Sequence, residues 1–272
     1  MKKLDCKIIK EEELNKLKEE VKGINLKFAV IEIGEFDSNE IYLRSKRKIS
    51  KLLNIELVNI KFNEFTSIED NISVIKNLND DFSISGIILQ KPISSIFSYD
   101  QIVNYIDFKK DIDGLTEKSI LDLKNGKDTF IPPTALSVLK ILDYYNIELK
   151  GKKIALLGKS NILGMPLYNI LKNDNEVILC DSKTTNLKNV TKSCDIIITG
   201  ISRPLYLGDE YFTDGQVVID VSTSYVDDHL VGDLDVNNIK KDISITTVPF
   251  GVGMLTPIFL IHNLIKAYKN YK

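Results

Sequence analysis

Apolar residues along this chain follow two alternating rhythms. Short runs bounded by turn residues occur at Leu26–Ile33, Ile55–Phe62 and Ser85–Gln90. They recur at Ile154–Leu157, Glu176–Cys180, Asp195–Thr199, Val217–Val221 and Ser244–Val248. Runs of this length suit buried strands. Between them lie segments with helical spacing: Glu11–Val21, Asp37 to about Leu53, Ile68–Leu78, Asp100–Ile106, Ala135–Tyr145 and Pro257–Tyr268. A further helix opens after Gly164, with Pro166 at its first helical position, where a missing N–H costs nothing. Strands alternating with helices predict an α/β fold built on parallel sheets with both faces covered. Thr129-Phe-Ile-Pro-Pro-Thr134 cannot continue a helix and marks a boundary between two α/β halves.

The helix from Asp37 carries the most informative anomaly. Asp37 stands three residues before Glu40, the spacing of a capping box. At about 100° per residue, Tyr42, Ile49 and Leu53 share an apolar arc, while Arg44, Arg47, Lys48 and Lys51 lie opposite. Lys46 falls inside the apolar arc, about 40° from Tyr42. A lysine there either snorkels to the surface or has its ammonium partly desolvated. Desolvation lowers its pKa and makes it a usable general base. Pairing with Tyr42 one turn back favours the second reading.

Other candidate chemistry sits at strand ends. Gln90 closes the third strand and is followed by Lys91-Pro92. Lys109-Lys-Asp-Ile-Asp-Gly114 places Asp111 and Asp113 in one turn, which is either a site or a solvated Asp-Gly turn. Lys150–Leu171 reads as strand, glycine turn and helix N-terminus, an arrangement that offers N–H groups and a positive dipole end to phosphate. Its spacing is neither G-x-G-x-x-G nor a Walker loop, so an ordinary turn stays open. The Gly-rich run Pro249–Thr256 allows backbone to approach a flat ligand closely, or is a simple loop.

Composition narrows the classes. The 272 residues hold 36 Lys+Arg against 38 Asp+Glu, interspersed, which points to neither a nucleic-acid nor an anionic-membrane partner. Cys6, Cys180 and Cys194 fit no metal or redox spacing, so we expect reduced thiols and no metal site. The N-terminus lacks an apolar signal segment, and no apolar run reaches membrane-spanning length. The expectation is a soluble cytoplasmic protein.

Taken in order, these pieces resemble the bifunctional methylenetetrahydrofolate dehydrogenase/cyclohydrolase family. The resemblance is carried by Tyr42-x-x-x-Lys46, Gln90-x-Pro92, Lys110-Asp-Ile-Asp-Gly114, Pro132-x-Thr134 and GKSNILGMP at 158–166. Ser182-Lys-Thr184, Val231-Gly-Asp233 and Pro249-x-Gly-Val-Gly253 complete it, and the elements span almost the whole chain. It implies a folate-binding catalytic domain over 1–130, completed by the C-terminal helix 256–272. It also implies a Rossmann-like NAD(P)-binding domain over 131–255, with a cleft between the two. The implied reactions are oxidation of 5,10-methylenetetrahydrofolate by NADP and hydrolysis of the methenyl product to 10-formyltetrahydrofolate. By position, Lys46 is the general acid/base, Gln90 hydrogen-bonds it, Tyr42 positions the folate and Asp113 anchors the pterin's donor groups. The implied cofactor residues are Gly158, Lys159, Ser160, Gly164, Ser182, Pro249, Gly251 and Gly253. A homodimer is implied by the resemblance alone.

The chain departs from the family pattern at several positions. Lys91 stands where a hydrophobic residue is usual, Pro133 where a cysteine is, and Phe250 where a glycine is. Met254-Leu-Thr256 replaces Pro-Met-Thr, and Ser222-Thr-Ser224 replaces Gly-x-Asn. Most of these lie in or just before the cofactor half, so a cyclohydrolase with weak or lost dehydrogenase activity is one alternative. A shikimate-dehydrogenase-like NAD(P) oxidoreductase and a catalytically silent nucleotide or folate binder are others. Cofactor choice also pulls two ways. Asp181, 23 residues after Gly158, suits the ribose 2′-hydroxyl of NAD, while Lys159, Ser182 and Lys183 suit a 2′-phosphate. The cations outnumber the carboxylate, which favours NADP with NAD possible.

Overall fold

The structure, a computed structural model, describes residues 1–270; Tyr271 and Lys272, expected in the last helix, lie outside the described residues. The first half holds β1 (Lys2–Lys3), α1 (Cys6–Glu20), β2 (Lys27–Ile33), α2 (Asp37–Leu52), β3 (Glu56–Phe62), α3 (Ile68–Asp80), β4 (Gly86–Leu89), α4 (Tyr99–Val103) and α5 (Glu117–Lys124). Then follow α6 (Pro133–Tyr144), β5 (Lys153–Leu157), α7 (Gly164–Leu171), β6 (Glu176–Cys180), α8 (Leu187–Lys192) and β7 (Ile196–Thr199). The rest is β8 (Val217–Asp220), β9 (Ser224–Val226), β10 (His229–Val231), β11 (Ser244–Ile245) and α9 (Thr256–Asn270). Two compact units result: Glu13–Pro132 with the helix from Pro257 onward, and Met1–Glu12 with Pro133–Thr256.

In the first of these units the sheet order is β3-β2-β4, with both pairings parallel. Strand alternation sorts its side chains. Phe28 and Val30 pack with Leu17, Leu43, Ile49, Ile261 and Leu264 from α1, α2 and α9. Ala29, Ile31 and Ile33 pack on the other face with Ile75 of α3 and Ile102 and Val103 of α4. The chain leaves β2 for β3 on one side and returns as β4 on the other. The carboxyl ends of β2 and β4 therefore flank a topological switch point, where open α/β sheets bind ligands. A lone parallel pairing of Ile87 with Asp111 brings the Lys110–Gly114 segment alongside β4.

The other unit has a parallel sheet ordered β1-β11-β8-β7-β5-β6. Here β5 and β7 flank the switch point. Met1–Glu12 were expected with the first domain, but Lys2 N–H bonds Ile243 O and Leu4 N–H bonds Ile245 O, adding β1 to this sheet's edge. Two exposed lysines give such a strand no apolar signature.

Some expected details differ. Phe36, not Asp37, is the N-cap of α2, and no side chain caps that end, so the capping box does not form. Asp37 and Glu40 instead place negative charge in the first turn, favourable to the helix dipole. Helix α7 begins at Gly164, so Pro166 occupies its third position, still within the turn whose N–H groups lack helical partners. The sequence reading also missed α5 and the β9–β10 hairpin. That hairpin turns on Asp227 and Asp228, both at positive φ (47° and 61°), in place of the Asn-Gly or Asp-Gly that signals such turns. No helix among the described residues is long and apolar enough to cross a membrane.

Candidate active site

Helix α2 buries Asn39, Leu43, Ile49 and Ser50. On an ideal helix Lys46 lies about 20° from Asn39 and about 40° from Ser50, in the middle of that buried face. The expected arc was centred too far round: Tyr42 is 47% exposed rather than part of the core. Its ring still neighbours Lys46, whose Nζ sits 5.9 Å from the ring centroid. Lys46 does not snorkel. It is half-buried, and its Nζ donates to Oε1 of Gln90 at 2.7 Å. Burial pushes the ammonium below the ordinary lysine value, with Asp113 and Glu32 pulling the other way.

Gln90 is buried just beyond β4. Its Nε2 donates to the Lys91 carbonyl at 2.9 Å, which leaves Oε1 as the end that faces Lys46. Asn39 Nδ2 donates to the Pro92 carbonyl at 3.0 Å, tying the first turn of α2 to the same segment. The Lys91–Pro92 peptide is cis. The Lys91 ammonium lies 3.7 Å from the centroid of the Tyr99 ring, and the Tyr99 hydroxyl donates to Leu89 O at 3.2 Å.

The Lys110–Gly114 turn divides its labour. Lys110 is buried and its Nζ donates to the carbonyls of Leu78, Asn79 and Asp81 at the end of α3, at 3.0, 2.6 and 2.8 Å. Asp111 accepts from the N–H groups of Leu115 (3.1 Å) and Thr116 (2.8 Å), which fixes the approach to α5. Gly114 has φ +68°, and a Cβ there would lie 2.5 Å from Phe130 O, so only glycine fits. Asp113 is left as the carboxylate with no such structural role. Burial pushes its carboxyl up to about 6, against the pull of Lys46 and Lys91.

Glu32 was missed by sequence reading. It is buried on β2, its Oε1 makes no hydrogen bond among the described residues, and its nearest cation is Lys61 at 3.9 Å. A lone carboxylate inside the apolar strand KFAVIEI was the available signal.

In the second unit, Gly158 has φ +104°, and a Cβ on it would stand 2.9 Å from Gly200 O, across the β5/β7 switch point. A Cβ on Gly164 would stand 1.9 Å from Gly158 O, so the turn closes only with hydrogen at that position. Lys159, Ser160 and Ser182 are exposed at this carboxyl edge. Lys159 Nζ meets Asp181 Oδ2 at 2.8 Å, and that contact holds the carboxyl below its ordinary value. Asp181 thus turns towards Lys159 through one oxygen, while its other accepts the Lys183 N–H at 2.9 Å.

Asp233, buried and unflagged by the sequence reading beyond its motif, organises the next loops. Its Oδ2 accepts from Thr199 Oγ1 (2.6 Å), Ile201 N–H (3.0 Å) and Ser222 Oγ (2.7 Å), and its Oδ1 from Arg203 N–H (2.8 Å). Pro249, Gly251 and Gly253 lie on a separate loop leading into α9. A Cβ on Gly251 would stand 2.3 Å from Thr247 O, whereas Gly253 has open space around it. Between them Phe250 adopts φ +76°, is exposed, and has Lys7 Nζ 4.7 Å from its ring centroid.

A glycine cradle that any Cβ would fill, exposed hydroxyls and a lysine at the switch point suit the phosphates of a dinucleotide. The buried lysine, amide and carboxyl of the other unit suit proton transfer. A profile of the "Tetrahydrofolate dehydrogenase/cyclohydrolase, catalytic domain" matches residues 4–113, and one of the corresponding NAD(P)-binding domain matches residues 132–272. The bifunctional protein FolD of Clostridium novyi (strain NT) is 34% identical over 275 residues, covering 98% of this chain and 99% of that protein. The crystal structure of bifunctional FolD, a methylenetetrahydrofolate dehydrogenase/cyclohydrolase from Campylobacter jejuni, superposes with a TM-score of 0.95. It is 33% identical and covers 99% of each chain. A Trypanosoma brucei FolD solved with NADP cofactor and inhibitor gives a TM-score of 0.91 at 26% identity, covering 98% of this chain and 96% of that one. With both domain profiles matched in order and such relatives along its whole length, the chain belongs to the tetrahydrofolate dehydrogenase/cyclohydrolase family.

Proposed function

We propose that this chain oxidises 5,10-methylenetetrahydrofolate to the methenyl compound with NADP, then hydrolyses that cation to 10-formyltetrahydrofolate. The observation that carries the reading is the half-buried Lys46 ammonium held by Gln90 at 2.7 Å. Hydrolysis needs a base that is neutral near pH 7, and a desolvated lysine meets that need. As water forms its C–O bond to the methenyl carbon, neutral Lys46 takes the water's proton. Lys46 then returns that proton to N5 as the N5–C bond breaks, and the remaining hydroxyl proton leaves to solvent as the C=O forms, giving the formyl group on N10. Gln90 keeps the ammonium placed without adding charge. Tyr42 offers an exposed ring face beside Lys46 for the folate, and Asp113 accepts from the pterin's donor groups.

The folate thus belongs to the unit Glu13–Pro132 completed by the last helix, and the cofactor to the unit holding Pro133–Thr256. Bound NADP supplies the acceptor for the hydride that leaves the methylene carbon. Gly158, Ser160 and Gly164 would hold its pyrophosphate, Lys159 and Ser182 its 2′-phosphate, and Pro249, Gly251 and Gly253 its nicotinamide end. Lys159 shares its charge with Asp181, so a 2′-phosphate competes with that carboxylate for the ammonium. A cytoplasmic homodimer completes the reading; sedimentation of the purified protein tests the dimer. The activities themselves are tested by assaying methenyl hydrolysis and methylene oxidation with NADP and with NAD. Oxidation faster with NADP and measurable hydrolysis support the reading, and absence of both refutes it.

A further inference from the structure

The loop that follows β7 is held from inside by two side chains. Asp233 is buried and accepts from the N–H groups of Ile201 at 3.0 Å and Arg203 at 2.8 Å. The N–H between them, that of Ser202, donates instead to Ser222 Oγ at 3.1 Å. The same hydroxyl donates to Asp233 Oδ2 at 2.7 Å. Three successive N–H groups turned to one side make a concavity for negative charge, and here the Asp233 carboxylate fills it. Ser202 has φ +54°, a left-handed backbone that a residue other than glycine keeps only where its surroundings fix it. Ser222 stands where the family pattern has glycine, which has no hydroxyl to offer.

The loop so fixed packs directly on the glycine turn between β5 and α7. Gly200 N–H bonds Leu157 O at 3.0 Å. A Cβ on Gly158 would stand 2.9 Å from Gly200 O and 3.7 Å from Ile201 Cγ2. A Cβ on Gly200 would stand 2.5 Å from Leu163 Cδ2, so both ends of the turn rest on this loop. We propose that Ser222 is a positioning residue for the dinucleotide: by joining the Ser202 N–H to Asp233 it fixes residues 200–203 against the Gly158–Gly164 turn in the shape that receives the cofactor. This rests on the reading of that turn as the phosphate site. Without the hydroxyl the loop is ordered only as the cofactor arrives, and the cost of ordering falls on binding.

The test is NADP binding by calorimetry, together with amide hydrogen exchange of residues 200–203 in the cofactor-free protein. Ser222→Ala removes the hydroxyl and Ser222→Thr keeps one. Ser222→Ala should speed exchange across the loop and weaken NADP binding by about three- to tenfold, the worth of one hydrogen bond. The KM for NADP should rise in step, while kcat at saturating NADP stays near wild type. Ser222→Thr should recover both exchange protection and affinity. If Ser222→Ala loses its circular-dichroism spectrum, Ser222→Gly, which installs the family's own residue, decides in its place with the same expectation. Faster exchange with unchanged NADP affinity, no change in either, or equal losses in the Ala and Thr variants overturns the role of Ser222 only. A wild type that binds neither NADP nor NAD overturns the reading of the glycine turn, and the role of Ser222 falls with it.

Discussion

Lys46 and Gln90 meet through a 2.7 Å hydrogen bond from Nζ to Oε1, although 44 positions separate them in the chain. Parallel pairing of β2 with β4 makes the meeting possible, because α2 follows β2 and Gln90 follows β4. The amide is a neutral acceptor, so it orients the ammonium without stabilising its charge as a carboxylate would. Gln90→Glu should therefore raise the Lys46 pKa and hold it protonated. Methenyl hydrolysis near pH 7 should fall at least about tenfold and recover as pH rises, since each unit of pKa is tenfold in the neutral fraction. Gln90→Ala should lose activity without that recovery. Initial rates across pH distinguish the two, and an unshifted profile for Gln90→Glu would count against the arrangement.

Asp220 ends β8, with its carboxylate oxygens accepting from the N–H groups of Ser222 (3.1 Å) and Leu234 (2.9 Å). Burial pushes its carboxyl up to about 7, so the fold favours its neutral form. Its contribution to stability is then fully present below about pH 4 and is lost as pH rises through about 7, at up to about 1.4 kcal/mol per pH unit. Urea midpoints of wild type and Asp220→Asn between those pH values check this. The variant should be less stable near pH 4, having traded an acceptor for an amide, and should lose far less stability as pH rises towards 7. Equal slopes would place the titration elsewhere.

Phe250 holds a left-handed backbone at φ +76°. That costs a non-glycine residue about 1–2 kcal/mol, so Phe250→Gly gains on this count. Extra freedom in the unfolded chain takes back about 0.5–1 kcal/mol, and the lost Lys7 contact a similar amount. The sum predicts a melting temperature close to wild type. The NADP KM or the hydride step should change more than hydrolysis, because the ring sits in the loop read as the nicotinamide end. Equal effects on both activities would contradict that placement.

Lys159→Ala should raise the KM for NADP several-fold and leave that for NAD nearly unchanged. The Lys159–Asp181 contact adds a further expectation. Asp181→Ser frees the ammonium and removes a carboxylate, so it should lower the NADP KM further. A wild type that prefers NAD, reversed by Asp181→Ser, would show that the carboxylate governs.

Both sheets were legible in the sequence because their central strands are continuous apolar runs, and so was the Lys46 anomaly, because helical periodicity is a strong signal. Tyr42 was misplaced by one edge of its arc: the buried face of α2 includes the polar Asn39 and Ser50, which hydrophobicity does not mark. The paired lysines of β1 and the Asp227-Asp228 turn left no pattern because backbone bonding and positive φ define them, not side-chain burial. The site depended on long-range pairing. Nothing local distinguishes Asp111 from Asp113; their roles separate only when Asp111 is seen holding Leu115 and Thr116.

The most direct test is methenyl hydrolysis by Lys46→Met, with circular dichroism and melting temperature confirming an intact fold. Loss of the positioned base should lower the rate by about 10²–10⁴. Lys46→Arg should do nearly as badly, because a guanidinium stays protonated. Hydrolysis by the Met variant at close to the wild-type rate would contradict the account, since Lys46 would then only fill space beside Gln90.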